Sequence, residues 1–265
     1  MRPLITLLTD FGTQDSFVGE MKGSIARICP EATVIDLTHE LPSHNVERAA
    51  FAWKLATTSF PKGSVHVGVV DPGVGTARNA LAAEIDGSYF VCPDNGLLSW
   101  ILDEAASVHV VAADNPAFWA PQISNTFHGR DVFAPVAAHL ARGTELASIG
   151  NVLRTPVRLK LTKPHLRGEQ IIGHAVLADR FGNVLTDLPN SLLEIASKVE
   201  FAGRFCKPAR TFAEGRPGEL LVLQGSHGYL EIALNLASVV AELSDALTSE
   251  VKLHLKDKLK GSTAA

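Results

Sequence analysis

The alternation of two apolar periodicities over the first 150 residues constrains the fold of this 265-residue chain more than any other feature. Short apolar runs at Leu4–Thr9, Thr33–Leu37 and Val65–Val70 are typical of buried parallel strands. Between them, Asp15–Cys29 and Asn45–Thr57 repeat apolar side chains at helical spacing. Strands that alternate with helices predict an open, doubly wound α/β sheet.

The same alternation continues to the end of a predicted N-terminal domain over residues 1–160. A hairpin is expected where Asp86-Gly87-Ser88 separates two apolar runs. The remaining elements predicted for this domain are strands at Leu81–Ile85, Tyr89–Cys92 and Val108–Val111 and helices at Asn95–Leu102 and Arg130–Ala141.

After Gly150, glycine and proline punctuate short β-like runs, which favours a smaller antiparallel, barrel-like β domain over residues 166–255. The predicted strands are Val157–Leu161, Ile171–Leu177, Leu220–Leu223 and Tyr229–Ala233, and the predicted helices are Ser191–Lys198 and Leu236–Leu247. A polar tail over residues 256–265 is expected to fray.

Composition excludes several classes of protein. Hydrophobic residues make up 46% of the chain and charged residues 20%, so the chain has ample apolar surface to bury and is not intrinsically disordered. The oiliest windows, at residues 132–141 and 170–178, are about half the length of a membrane-spanning helix. A net charge of −4 without a basic stripe argues against a nucleic-acid partner. Three cysteines at unrelated spacings and no signal peptide predict a cytoplasmic protein.

Polar side chains follow the first predicted strand, at the edge where open α/β sheets bind ligands. Asp10 and Phe11 come directly after this strand, and Asp15 and Ser16 stand at a predicted helix start. The Asp10 carboxylate can accept two hydroxyl hydrogen bonds, as in ribose recognition. Asp15 and Ser16 are candidates either for ligand contacts or for helix capping.

A second candidate loop runs from Asp71 to Arg78 after the third strand. Its Gly73-Val74-Gly75 step invites a phosphate-loop interpretation, but a third glycine is missing and an acid heads the loop. We interpret it as a rigid turn that brings Arg78 back to Asp71. Whether that pair is structural or functional stays open at this point.

The third loop leads from Asn125 through Phe127 and His128 into a helix. His128 can serve there as a base, a metal ligand or an N-terminal cap. Arg130 and Asp131 are interpreted as caps and surface ion pairs.

The C-terminal half places polar and aromatic residues at turns between strands. Phe181 and Tyr229 can clamp a flat base, with Asn183, Ser226 and Glu231 reading its polar edge, although ordinary turn chemistry explains each residue equally well. Ten histidines raise a metal hypothesis, for example at His39 and His44 or at His66 and Asp71, but none shows helical ligand spacing and no metal is expected.

Taken together, the motifs resemble one family. They are Thr9-Asp10-Phe11-Gly12, Asp36-Leu37-Thr38-His39, Val69-Val70-Asp71-Pro72-Gly73-Val74-Gly75, Pro93-Asp94-Asn95-Gly96-Leu97-Leu98, Thr126-Phe127-His128-Gly129-Arg130-Asp131, Phe181-Gly182-Asn183 and Gly228-Tyr229-Leu230-Glu231-Ile232-Ala233. In this order they resemble the S-adenosylmethionine hydroxide adenosyltransferases, which are relatives of fluorinase and chlorinase. The resemblance runs from about residue 4 to residue 240.

The resemblance implies an α/β domain followed by a β-barrel-like domain, and hydrolysis of S-adenosyl-L-methionine to adenosine and L-methionine without a cofactor. Water or hydroxide would attack C5′ directly, activated by a trio that matches Asp71, Arg78 and His128 here. The halogenating relatives lack the acid and the histidine of this trio, so their halide chemistry is not expected.

The resemblance also implies where the substrate binds and how subunits assemble. A homotrimer is expected, with each site between the N-terminal domain of one subunit and the C-terminal domain of the next. The substrate contacts it implies are Asp10, Phe11, Asp15, Ser16, Phe127, Asp179, Phe181, Asn183, Ser226, Tyr229, Glu231 and the backbone near Leu234.

Two other functions remain as alternatives from the sequence. A sensing protein would hold S-adenosylmethionine or adenosine without turnover, and a metal-dependent hydrolase would lose activity with a chelator.

Overall fold

The computed structural model describes residues 2–256. It divides into two compact units, Met1–Leu161 and Thr162–Ala265, and each is described by itself below. No helix within the described residues combines the length and apolar character needed to cross a bilayer.

The first unit is built on a six-stranded sheet with the order β2-β1-β3-β5-β4-β6. Its strands are β1 (Leu4–Thr9), β2 (Thr33–Thr38), β3 (Val65–Val69), β4 (Ala80–Ile85), β5 (Ser88–Pro93) and β6 (Val108–Ala112). The four strands β2, β1, β3 and β5 pair in parallel, whereas β4 runs antiparallel to both β5 and β6. The helices of this unit are α1 (Phe17–Ile28), α2 (Val46–Thr57), α3 (Ser99–Glu104), α4 (Ala134–Ala141) and α5 (Leu146–Ile149).

Helices cover this sheet on both faces because its central strands are apolar on both faces. Ile5 and Leu7 of β1 pack in one buried cluster with Met21 of α1 and with α4. On the opposite face, Gly68 of β3 comes so close to Trp53 of α2 that an added Cβ would lie 3.0 Å from the indole ring. The predicted doubly wound α/β architecture is therefore confirmed.

Three local predictions for this unit need correction. The helix predicted at 95–102 starts only at Ser99, because the chain first turns through Gly96 with a φ of +97°. The helix predicted at 130–141 opens with a π-helical segment, Gly129–Phe133, before α4.

The strand predicted at Val157–Leu161 does not form. The amides of Val157 and Leu159 donate instead to side chains, to Asp94 Oδ1 at 2.7 Å and to Ser99 Oγ at 2.8 Å. These side chains replace the backbone acceptors that a neighbouring strand would have supplied.

The second unit is a closed β-barrel of seven strands within residues 162–256, with one further strand at its edge. Its strands are β7 (His165–Arg167), β8 (Gln170–Ala178), β9 (Val184–Pro189), β10 (Ala196–Phe201), β11 (Arg204–Pro208), β12 (Leu220–Gln224), β13 (Tyr229–Leu234) and β14 (Glu250–Leu255). The order β14-β10-β11-β12-β13-β9-β8 closes through β14–β8, and β7 adds to β8. The predicted barrel is confirmed, and within it β11 and β12 pair in parallel.

Both helices predicted for this unit are largely wrong. Residues 191–198 divide between a 3₁₀ helix, Asn190–Glu194, and β10, whose Val199 and Phe201 are buried in the barrel. Residues 236–247 contain only the short helix α6 (Val239–Glu242) and the start of a 3₁₀ turn. Barrel closure needs β10 between β11 and β14, and these long-range pairs override local helical spacing.

The predicted polar tail, 256–265, lies outside the described residues except for Lys256. The amide of Lys256 donates to the carbonyl of Ile195 at 3.1 Å, so this first residue is tied to the barrel.

Candidate active site

Asp71 and Arg78 form a bidentate ion pair at the carboxyl end of β3. Arg78 Nε lies 3.0 and 3.1 Å from the two Asp71 oxygens, and Nη2 also donates to Oδ2. Both side chains are largely buried, and the guanidinium lies 5.2 Å from the Phe133 ring centroid. Burial and two-point pairing fix the guanidinium plane, as the rigid-turn interpretation requires.

Two residues shape the loop that carries this pair. Asn95 Nδ2 donates to the Val70 carbonyl at 2.8 Å and so holds the backbone just before Asp71. Gly75 has a φ of +76°, and a Cβ there would lie 2.3 Å from the Asn125 carbonyl oxygen. Only glycine therefore lets this loop approach the loop that carries His128.

His128 is joined to the pair through Arg78. Arg78 Nη2 lies 2.8 Å from His128 Nδ1. Because a guanidinium can only donate, Nδ1 accepts, and the neutral imidazole carries its proton on Nε2. Burial, reinforced by the Arg78 charge, lowers the pKa of His128 below its ordinary value. The three residues predicted as a trio are thus in contact, with a neutral imidazole beside a fixed cation.

Asp10 follows β1, and one of its oxygens is already engaged. Oδ2 accepts from the His44 amide at 2.8 Å, at a position where His44 has a φ of +63°. The other oxygen has no hydrogen-bond partner within residues 2–256. One carboxylate oxygen thus fixes the side chain while the second stays available for a hydroxyl donor.

Asp15 and Ser16 are exposed. Ser16 occupies the N-cap position of α1, but its hydroxyl donates to Glu20 Oε1 at 2.7 Å and makes no capping hydrogen bond. Capping in the usual sense therefore does not explain Ser16.

Phe11 and Phe127 belong to an aromatic cluster that also contains Phe17. The Phe17 and Phe127 ring centroids lie 5.1 Å apart, and Phe11 lies 5.9 Å from each of them, all with edge-to-face geometry. Phe127 is buried, whereas Phe17 is 42% exposed. Sequence reasoning missed Phe17, although its place beside Asp15-Ser16, as an aromatic residue opening a helix, was a usable signal.

Asp131 is buried whereas Arg130 remains about one-third exposed, which corrects the interpretation from sequence for Asp131 alone. Asp131 is only 2% exposed; it accepts from Arg130 Nε at 2.7 Å and from the Ser124 amide at 2.8 Å. Burial raises the pKa of Asp131, but the hydrogen bonds from Arg130 and Ser124 lower it by more than burial raises it. The pKa therefore lies below its ordinary value. Arg130 Nη1 also donates to Glu20 Oε2 at 2.9 Å, and this bond connects α1 to the loop that carries His128.

In the second unit, Asp179 and Asn183 close the turn between β8 and β9. Asp179 Oδ1 accepts from the amides of Phe181 and Asn183, each at 2.9 Å, and Oδ2 accepts from Asn183 Nδ2. Gly182 completes the turn, because a Cβ there would overlap the Ser238 side chain. The turn leaves the Phe181 ring 77% exposed.

The remaining candidates of the second unit lie on or beside β13. Glu231 is half-buried, and burial together with the Asp179 charge raises its pKa. Ser226 is exposed and lies 3.3 Å from His227 Nδ1, Tyr229 is half-buried, and the Leu234 side chain is buried. Leu234 is only 3% exposed as a whole residue, so the contact expected from its backbone stays a prediction.

The histidines raised in the metal hypothesis have other surroundings. His66 Nδ1 lies 2.8 Å from Thr6 Oγ1, and His39 Nδ1 lies 2.8 Å from Thr9 Oγ1. Among the described residues, no three His, Cys, Asp or Glu side chains are grouped as a metal site. The three cysteines are free and buried.

The chain joins an α/β domain to a closed β-barrel domain, and Asp71, Arg78 and His128 form a candidate catalytic group in the first of them. Residues 5–150 match the family model described as the SAM hydroxide adenosyltransferase N-terminal domain, and residues 173–254 match the C-terminal domain of the same family. The chain belongs to the SAM hydroxide adenosyltransferase family, and the resemblance drawn from its motifs is confirmed.

Relatives and solved structures agree with this assignment. Proteins of Salinispora arenicola and Thermus thermophilus, both named (R)-S-adenosyl-L-methionine hydrolase, are each 41% identical to this chain. The alignment with the Salinispora protein covers 88% of this chain and 90% of that protein. The alignment with the Thermus protein covers 90% of this chain and 94% of that protein. A fluorinase of Nocardia brasiliensis is 28% identical over 90% of this chain and 92% of its own. The crystal structure of a conserved Thermotoga maritima protein is 38% identical, with a TM-score of 0.88 over 94% of this chain and 99% of that one.

Proposed function

We propose that this protein hydrolyses S-adenosyl-L-methionine to adenosine and L-methionine by direct attack of an oxygen nucleophile on C5′. The observation that carries the proposal is the Arg78 guanidinium, paired with Asp71 and hydrogen-bonded to neutral His128. It occurs in a chain whose relatives are named for hydrolysis of this substrate.

The chemistry asks little of the leaving group and much of the nucleophile. As the C5′–S bond breaks, its electron pair stays on sulfur, and the sulfonium departs as the neutral thioether of methionine. No general acid is needed. Free water is a poor nucleophile because its pKa is about 15.7. The site therefore has to favour hydroxide and hold it in line with C5′ and sulfur.

The trio suits that task through charge and orientation. A buried guanidinium stabilises hydroxide, and it does so best when its orientation is fixed before the reaction. Asp71 supplies this orientation through its bidentate pair. His128 offers a proton from Nε2, because Nδ1 already accepts from Arg78. We therefore assign His128 to hold the oxygen nucleophile as a hydrogen-bond donor rather than to remove its proton, and the proton that water loses in becoming hydroxide passes to solvent.

The other candidate residues divide the substrate between them. Asp10 would accept from the ribose hydroxyls through its available oxygen, and Phe11 and Phe127 would border the adenosine. Asn183 and Glu231 would read the polar edge of the base, against which Phe181 would stack. The methionine part would be held by Asp15, Ser16, Asp179 and Ser226, with Tyr229 and the backbone near Leu234 lining the remainder.

Assembly and location are part of the same proposal. We propose a homotrimer with each site between the first unit of one subunit and the second unit of the next. Two exposed apolar side chains support a covering partner, since Leu236 is 96% exposed and Phe181 is 77% exposed. The three free cysteines are consistent with a reducing cytoplasm.

One experiment tests the chemistry. Purified protein is incubated with each sulfonium epimer of S-adenosylmethionine in ¹⁸O-water, and the products are separated by chromatography and weighed by mass spectrometry. We expect adenosine and methionine in equal amounts, with the label at the 5′ oxygen. Unlabelled adenosine would exclude direct attack by solvent oxygen.

The same assay with a chelator serves as the control for metal dependence. Activity that is lost with chelator and restored by a divalent cation would contradict the trio mechanism. Binding without turnover over hours would instead identify a sensing protein. Light scattering of the active protein tests the trimer, and full activity in a monomer would exclude a shared site.

A further inference from the structure

A buried threonine–histidine pair lies directly behind the Asp10 loop. Thr9 ends β1, and His39 follows the end of the adjacent parallel strand β2. Thr9 Oγ1 lies 2.8 Å from His39 Nδ1; Thr9 is fully buried and His39 is 4% exposed. Neither residue is needed to explain the trio.

The segment that starts at His39 is fastened to the Asp10 loop at several further points. The Gly12 amide donates to the His39 carbonyl at 2.8 Å, and Thr13 Oγ1 donates to Glu40 at 3.0 Å. The His44 amide donates to Asp10 Oδ2 at 2.8 Å. Among these contacts, Thr9–His39 is the only one made by two fully or almost fully buried side chains.

The hydrogen-bond directions in this network are mutually consistent. Thr9 Oγ1 accepts from the Phe11 amide at 3.2 Å, so its own hydrogen is available for His39 Nδ1. Because Nδ1 accepts from Thr9, the neutral imidazole carries its proton on Nε2, which lies 3.1 Å from Asp36 Oδ1 without forming a hydrogen bond to it. Lys22 of α1 holds the other Asp36 oxygen at 2.6 Å. The backbone of the Asp10 loop is thereby linked through Thr9 and His39 to β2 and α1.

We infer that His39 is a positioning residue that sets the Asp10 carboxylate for recognition of the ribose hydroxyls. It acts through the Thr9 hydroxyl, which fixes the backbone from Thr9 to Gly12, and touches no substrate itself. The inference rests on the proposed function in that Asp10 is taken as the ribose contact.

The experiment compares binding of adenosine and 2′-deoxyadenosine by calorimetry in the wild type, Thr9→Val, His39→Leu and His39→Asn. The asparagine amide can still accept from Thr9 at the place of Nδ1. We expect Thr9→Val and His39→Leu to reduce the preference for adenosine about three- to tenfold, the effect of one hydrogen bond. His39→Asn should recover most of it.

Thr6→Val is the matched control. Thr6 lies on the same strand, is fully buried and makes a similar 2.8 Å contact with His66 Nδ1, but it lies within β1, and its partner His66 lies within β3 rather than on the segment that follows β2. It should lower stability by a similar amount and leave the preference between the two nucleosides unchanged. An equal loss of preference in Thr6→Val would show a general structural effect and overturn the inference.

Amide hydrogen exchange gives a readout that does not depend on the ligand. In His39→Leu the backbone bond from Gly12 to the residue 39 carbonyl can still form, so faster exchange at Gly12 would report a loosened loop. Unchanged exchange together with unchanged nucleoside preference would overturn the inference, as would a wild type that does not distinguish the nucleosides. Failure of the wild type to hydrolyse S-adenosylmethionine while it still prefers adenosine would remove only the proposed reaction.

Discussion

Arg78 Nη2 donates to His128 Nδ1 across 2.8 Å while Asp71 holds the same guanidinium through Nε and Nη2. One arginine thus connects a carboxylate that fixes it and a neutral imidazole that accepts from it. A lysine could carry the charge but could not make both contacts in one plane. The value of Arg78 to the site therefore lies in its geometry as well as in its charge.

Replacing Arg78 by lysine should lower kcat by roughly 10²–10³, the effect of removing a fixed donor from a charge-stabilising site. The measurement is turnover of S-adenosylmethionine under saturation. Arg167→Lys is the matched control, because Arg167 also pairs bidentately with a carboxylate, Glu250, but is exposed in the second unit. A lysine variant at position 78 with wild-type turnover would refute the role given to the guanidinium.

The pH dependence of kcat/KM should report His128. Its pKa is lowered by burial and by the Arg78 charge, so the neutral, active form persists below the ordinary histidine value of 6.5. We expect kcat/KM to stay level as the pH falls from 8 to 6.5 and to drop only at lower pH. In His128→Asn this acid limb should disappear.

His139→Asn provides the comparison for that profile. Burial also lowers the pKa of His139, but this residue packs against Phe118 and is not in the trio. Its replacement should leave the acid limb in place. If the acid limb instead disappears in His139→Asn and persists in His128→Asn, the titration does not belong to His128.

How much of the site could be predicted depends on whether its residues follow strand ends. Asp10 and Asp71 follow the parallel neighbours β1 and β3, so the order of the strands brings them to one edge of the sheet. Contacts between residues within one loop were harder to predict from the sequence. Asp131 was expected at the surface because nothing local in the sequence shows that Ser124 and Arg130 enclose it.

Elements that depend on distant partners were also the ones predicted poorly. Residues 196–198 were predicted as the end of a helix, but they belong to β10 because β11 and β14 lie on either side of that strand. Residues 157–161 look like a strand, yet Asp94 and Ser99 satisfy the amides of Val157 and Leu159 from about 60 positions away. The spacing of apolar residues indicates which side chains are buried, but it does not indicate which distant residues form hydrogen bonds with the backbone of that segment.

Gly75→Ala should separate the trio without unfolding the protein. The φ of +76° costs an alanine about 1–2 kcal/mol, and the added methyl would also press on the Asn125 carbonyl at 2.3 Å. The loop must therefore move away from the one that carries His128, and turnover should fall by about two orders of magnitude, as for misplaced catalytic groups.

Gly63→Ala isolates the backbone cost in that comparison. Gly63 has a φ of +84° with no atom within 4 Å of an added Cβ. The Gly63→Ala variant should therefore lose about 1–2 kcal/mol of unfolding free energy through backbone strain, as Gly75→Ala does, and keep its activity. Equal activity in the two alanine variants would contradict the proposed dependence of the trio on close loop approach.

His66 should make the first unit less stable in acid. Burial lowers its pKa to about 4, whereas an unfolded chain would titrate near 6.5. Between these values the unfolded state binds more protons, so stability falls as the pH drops below 6.5 and the loss stops growing below about 4. At pH 5 the loss from this residue should be about 2 kcal/mol relative to pH 7.5, from about 1.5 pKa units.

Urea unfolding followed by tryptophan fluorescence measures this, since Trp53, Trp100 and Trp119 all lie in the first unit. In His66→Asn, whose amide oxygen can replace Nδ1 as the partner of Thr6, the loss between pH 7.5 and pH 5 should shrink by that amount. His128 and His139 titrate in the same direction and remain in both proteins, so the difference between the two pH dependences isolates position 66. Parallel pH dependences in wild type and variant would show that the burial of His66 does not lower its pKa.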